Sequence, residues 1–138
     1  LRFNIKTGEK YSYEPFSHQR GGIIAPPLII AKNKLCIVWD SINGGIAGIS
    51  YDNYKFKKNW EINIRPTMQP VYFEQSNELV INHFDDKSDH LIVIDVLRGK
   101  ILSKVNLRTP MANGMFLTPG FNNDVLYCST LAISKVSW

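Results

Sequence analysis

No apolar run in this sequence reaches the roughly 20 residues that a membrane-spanning helix requires. The longest, around Ile23 to Ile30, is interrupted by Pro26 and Pro27, so no membrane span is expected. Cysteine is scarce. Cys36 and Cys128 each sit in an apolar run, which suits buried thiols better than a disulfide framework. The opening Leu1-Arg2-Phe3-Asn4-Ile5 has neither a charged leader region nor a cleavage pattern, so it does not read as a signal peptide. The compartment therefore stays open.

Concentrated positive charge is missing too. The net charge is +4, but basic residues are scattered singly apart from Lys55, Lys57 and Lys58 around Phe56. Nucleic-acid binders gather such charge on one face, so a solvated strand edge is the expectation and a nucleic-acid partner is not.

Catalytic signatures are equally sparse. There is no His-Glu-x-x-His pattern for zinc hydrolysis. Ser17-His18 lacks a Gly-x-Ser-x-Gly elbow, and neighbours on a strand point to opposite faces. Gly21-Gly22 and Gly44-Gly45 are not followed by the helix that a phosphate cradle needs, and Met111-Ala112-Asn113-Gly114 reads as a loop. Alanine and leucine at helical spacing are also rare, which argues against helical repeats.

What the chain does contain is an internal echo. Ile62-Asn63-Ile64-Arg65-Pro66-Thr67-Met68 returns as Val105-Asn106-Leu107-Arg108-Thr109-Pro110-Met111, 43 positions later. The same offset places Ile49 on Ile92 and Asp52 on Asp95. Leu35-Cys36-Ile37-Val38 matches Leu79-Val80-Ile81-Asn82, and a third copy follows at Val125-Leu126-Tyr127-Cys128. A period in the forties with short β-branched or aromatic runs predicts four-stranded propeller blades.

One unit reads as strands over 23–30, 35–39, 46–51 and 56–64. The next reads as 69–74, 78–83, 90–96 and 100–107. Second and third strands are apolar on both faces, as in a sheet sandwiched between sheets. The fourth alternates, with Trp60, Ile62 and Ile64 facing one way and Asn59, Glu61 and Asn63 the other, as for an outer strand with a wet face.

Residues 1–15 supply a third strand, a Lys6-Thr7-Gly8-Glu9 turn and a fourth strand, while 115–138 supply a first, second and third. The expected architecture is thus an all-β propeller segment of about three blades, with units 1–19, 20–64, 65–107 and 108–138. It would belong to a larger propeller or close by association, including association of identical chains.

The turn sequences Asn4-Ile5-Lys6-Thr7-Gly8-Glu9-Lys10 and Asp95-Val96-Leu97-Arg98-Gly99-Lys100, with Trp60 on a last strand, resemble the PQQ-like repeats of quinoprotein-like β-propellers. The middle copy departs, because Lys55 stands where the glycine falls in the others. The resemblance implies a glycine at positive φ, an acidic turn cap and an aromatic packed between blades. It also implies two functional classes: quinone-dependent dehydrogenases, and cofactor-free scaffolds such as the bacterial outer-membrane assembly lipoprotein, which favours an extracytoplasmic location. The dehydrogenases look to adjacent cysteines, and this chain has none.

Two groups of residues invite a binding role. Arg20, Arg65 and Arg108 all fall between a fourth strand and the next first strand, and would ring one rim as an anion or acidic-partner site. Local ion pairs with Asp40, Asp85 or Asp86 are the plainer expectation. His83-Phe84-Asp85-Asp86-Lys87-Ser88-Asp89-His90 gathers two imidazoles and three carboxylates, but its spacing is not that of a calcium loop and a polar hairpin accounts for it. The function expected is a noncatalytic scaffold, without cofactor or metal, presenting loops to a protein or ligand. The alternative is part of a quinoprotein-like oxidoreductase completed by blades outside this chain.

Overall fold

Short runs of valine, isoleucine and aromatics, closed off by glycine- and asparagine-rich turns, make this an antiparallel β protein. The structure, a computed structural model, describes residues 2–16, 25–52, 55–107, 114–130 and 132–138. Thirteen strands are assigned among them, and there is no α-helix among the described residues.

Four sheets follow in chain order. A ribbon pairs β1 (Arg2–Phe3) with β2 (Lys10–Tyr11). A four-stranded meander holds β3 (Leu28–Ile30), β4 (Leu35–Trp39), β5 (Ile46–Asp52) and β6 (Lys55–Ile62). A second meander holds β7 (Val71–Phe73), β8 (Glu78–Phe84), β9 (Asp89–Asp95) and β10 (Lys100–Asn106). A three-stranded sheet closes the series with β11 (Gly114–Pro119), β12 (Asp124–Ser129) and β13 (Ile133–Ser137).

Strand positions follow the sequence expectation closely, except that the first strand of each meander is cut to three residues. Pro26 and Pro27 precede β3 and Pro70 precedes β7, and a proline has no N–H to give to a ladder. Both meanders carry an irregularity in the last pair, between Gly48 and Ile49 on one and between Ile101 and Ser103 on the other.

The sheets pack in sequence order. Ile37, Trp39, Ile46 and Trp60 of the first meander share one core with Leu79, Ile81, Ile92 and Ile94 of the second. The other face of the second meander, through Val80, Leu91 and Val93, meets Val125 and Tyr127 of the last sheet. The opposite face of the first meander, through Cys36, Val38, Ala47 and Ile49, is covered by Tyr13 and Phe16. Middle strands buried on both faces therefore need their continuous apolar character, each full Ile or Leu side chain contributing about 1.5–3 kcal/mol. Outer strand β10 is exposed along nearly its whole length.

Trp60 binds the two meanders together. It is buried, its ring lies against Gly48 of its own sheet and Gly99 of the next, and Nε1 donates to the carbonyl of Val96 at 2.8 Å. The aromatic expected to pack between sheets does so, and both facing positions are glycine because a Cβ there would overlap the indole.

Turns are built alike at three places. Asn4, Asp40 and Asp95 each accept, through Oδ1, backbone N–H groups two and three residues on, and each carbonyl accepts from a glycine four residues on. Those glycines, Gly8, Gly44 and Gly99, have φ of 75°, 87° and 65°, the left-handed region that glycine enters without strain. Burial of Asp40 and Asp95 favours the neutral acid. Bonds from Asn43 and Ile42 to one, and from Arg98 and Leu97 to the other, outweigh it, so both carboxyls titrate below their ordinary range. Cys36 is buried and its thiol pushed upward by that burial, whereas Cys128, expected inside, is only partly covered.

Candidate functional site

The connection from β6 to β7 reaches the end of β8, and its backbone has to find partners there. Buried Asn82, a lone amide in the apolar run of β8, provides them: Oδ1 accepts the N–H groups of Thr67 and Met68 at 2.9 and 3.0 Å. Its Nδ2 donates to Thr67 Oγ1 at 2.7 Å and to Asp89 Oδ1 at 3.0 Å. Asp89 is fully buried, and its Oδ2 accepts the Tyr127 hydroxyl at 2.6 Å. One polar chain thus runs from the connection through β8 and β9 to β12 of the next sheet. Buried carboxylate and amide are tolerated because each is hydrogen-bonded.

Arg65 is set by this anchoring. Its N–H donates to His83 Nδ1 at 2.9 Å and its carbonyl accepts from Phe84 N–H at 3.0 Å. The guanidinium lies 4.9 Å from the centre of the Phe84 ring and pairs through Nη2 with Asp86 Oδ1. Asp86 is three-quarters exposed, so the pair sits at the surface.

Because His83 Nδ1 accepts, its neutral ring carries the proton on Nε2. Burial, with Lys104 and His90 nearby, holds this imidazole below the ordinary histidine range, against a smaller upward pull from Asp85. The ring stacks on His90, centres 5.9 Å apart at 26°. His90 Nε2 meets Asp85 Oδ2 at 2.8 Å, while its buried Nδ1 has no hydrogen-bond partner among the described residues. Asp85 Oδ1 also accepts the N–H groups of Lys87 and Ser88. The His90 bond, and then these two, press the Asp85 carboxyl far below the usual carboxylate range.

These groups border a cleft of about 240 Å³ between the two meanders, bounded on its far side by Asn43, Gly44 and Asn63. Its chemistry is hydrogen bonding and charge pairing. The carboxylates of the 83–90 hairpin are all engaged by the protein itself, and among the described residues no group of three His, Cys, Asp or Glu side chains could hold a metal ion.

Arg65 stands in the predicted connection, beside two of its predicted acidic neighbours. Asp40 is not among its partners, being turned into its own tight turn. Arg20 and Arg108 lie outside the described residues, as do Ser17-His18 and Gly21-Gly22. Lys55 and Lys57 are exposed on β6, and Lys58 there pairs with Glu61. Cys36 and Cys128 fall on β4 and β12 of different sheets. Asn82, Asp89 and Tyr127 were not predicted as a unit. The one signal in the sequence is an asparagine ending an otherwise aliphatic run.

Compared with known proteins, the chain matches no family model, and no curated protein is significantly similar to it.

Proposed function

We propose that this chain is a segment of a quinoprotein-like β-propeller that acts as a noncatalytic scaffold, offering the Arg65 end of its sheets to an acidic partner. Support for the propeller comes from the serial packing, in which each meander gives one face to its predecessor and the other to its successor.

The observation that carries the binding role is the state of Arg65. Its guanidinium is held in place by the Phe84 ring and by backbone bonds on either side, yet its only charged partner among the described residues is the exposed Asp86. Exposed ion pairs contribute about 0–1 kcal/mol, so an incoming carboxylate can displace Asp86 at little cost. The fork geometry of arginine then gives two parallel hydrogen bonds to the newcomer.

A fluorescent glutamate-rich peptide tests this by anisotropy. Arg65→Ala, alone and with Arg108→Ala, is expected to weaken capture while the melting temperature holds. Unchanged capture with a lower melting temperature would make the arginine structural and end the proposal.

A further inference from the structure

The turns that precede β4, β8 and β12 come together at the end of the sheets opposite Arg65, around a second cleft of about 560 Å³. That volume lies within the range of small-molecule sites. Tyr72 and Phe73, both half-buried, line the cleft from opposite faces of β7, Tyr72 on the side of the first meander and Phe73 on the side of the three-stranded sheet. Phe73 is braced edge-on by Trp138 at 5.2 Å, and Trp138 Nε1 is itself held by Glu78 Oε2 at 3.2 Å.

The rim is polar and uncommitted. Asn77, at φ 56°, accepts the Tyr72 hydroxyl on Oδ1 at 3.1 Å, which leaves its Nδ2 to donate outward. The side chains of Gln75 and Asn123 are exposed and make no hydrogen bond among the described residues. Lys32 and Glu74 add one charge of each sign, so the described lining carries no net charge to attract an ion. Amides supply donor and acceptor side by side, the pairing that vicinal hydroxyls require, and ring faces accept the C–H side of a sugar.

We infer that this cleft binds a neutral saccharide of one or two rings, with Gln75, Asn77 and Asn123 reading hydroxyls and the Tyr72 and Phe73 side chains giving apolar contacts on either side of β7. This site is separate from the Arg65 end and does not depend on the propeller reading.

Saturation-transfer NMR with maltose, cellobiose and chitobiose, alongside glycylglycine as a charged comparison, tests the assignment. At least one disaccharide is expected to receive magnetisation and to change Trp138 fluorescence, since Trp60 and Trp39 are buried elsewhere. Gln75→Ala with Asn123→Ala is expected to weaken that binding about tenfold, from the loss of hydrogen bonds made by two side chains, at unchanged urea midpoint. Arg65→Ala is expected to leave it unaltered. Asn123→Ala alone, on an exposed turn, gives the same reading if the double variant fails to fold. The inference fails if no disaccharide gives a signal with folded protein, if only glycylglycine does, or if the variants bind as well as the parent.

Discussion

The Tyr127 hydroxyl donates to Asp89 Oδ2 at 2.6 Å, joining the three-stranded sheet to the second meander across their shared core. The acceptor is fully buried, and its other oxygen is held by Asn82. Tyr127→Phe keeps the ring but takes away this donor from a buried carboxylate. A loss of about 1–3 kcal/mol is expected, read as a lower urea midpoint with unchanged slope.

Histidine 83 makes stability depend on acidity. Its nitrogen facing Arg65 accepts an N–H, so protonation there sets donor against donor. The folded pKa lies below the ordinary 6.5, so over the interval between the two values the unfolded chain binds more protons and stability falls as pH falls. The loss begins near the ordinary value and stops growing once the folded imidazole is itself protonated. His83→Asn keeps an acceptor where Nδ1 stands and removes the titration. Urea midpoints measured through this window should fall less steeply in the variant than in the parent.

Gly99 and Gly8 occupy the same kind of turn but meet different surroundings. A Cβ at Gly99 collides with Trp60, whereas at Gly8 nothing among the described residues lies within 4 Å. Alanine at Gly8 therefore carries only the positive-φ cost, about 1 kcal/mol. Alanine at Gly99 carries that cost and displaces the indole as well, so its thermal midpoint should fall clearly further. Trp60→Ala, which removes the ring, should cost about 3–5 kcal/mol.

Asp86 competes with any carboxylate that approaches Arg65. Asp86→Ala should leave the melting temperature nearly unchanged, since an exposed pair contributes about 0–1 kcal/mol, while tightening capture of a glutamate-rich peptide. Equal affinity for parent and variant would show that the guanidinium is not what the peptide reads.

Strands were legible because their signal is local: two-sided apolar runs at β4, β8 and β9, and alternation at Trp60-Glu61-Ile62. The cap at Asp95 was equally so, as the acidic residue four positions before Gly99, and Asn4 fills the same place before Gly8. Asp40 does the same before Gly44. The shortening of β3 and β7 was written in the prolines. The site was less readable, because its bonds close over distance: Asp89 and Tyr127 are 38 residues apart, and Arg65 and His83 are 18 apart. The 83–90 hairpin looked like solvated acids, yet Asp89 is fully buried and His90 nearly so. Composition records how many charges a hairpin carries and is silent about which of them a neighbouring sheet will cover.

The indole of Trp60 is rooted in one meander and tethered to a carbonyl of the next. A hairpin that opens at Val96–Gly99 therefore strips cover from a strand in a different sheet, and disorder spreads sideways instead of staying where it began. Amide exchange in β6 should accelerate together with exchange in the β9–β10 turn, two stretches far apart along the chain that melt as one cooperative unit.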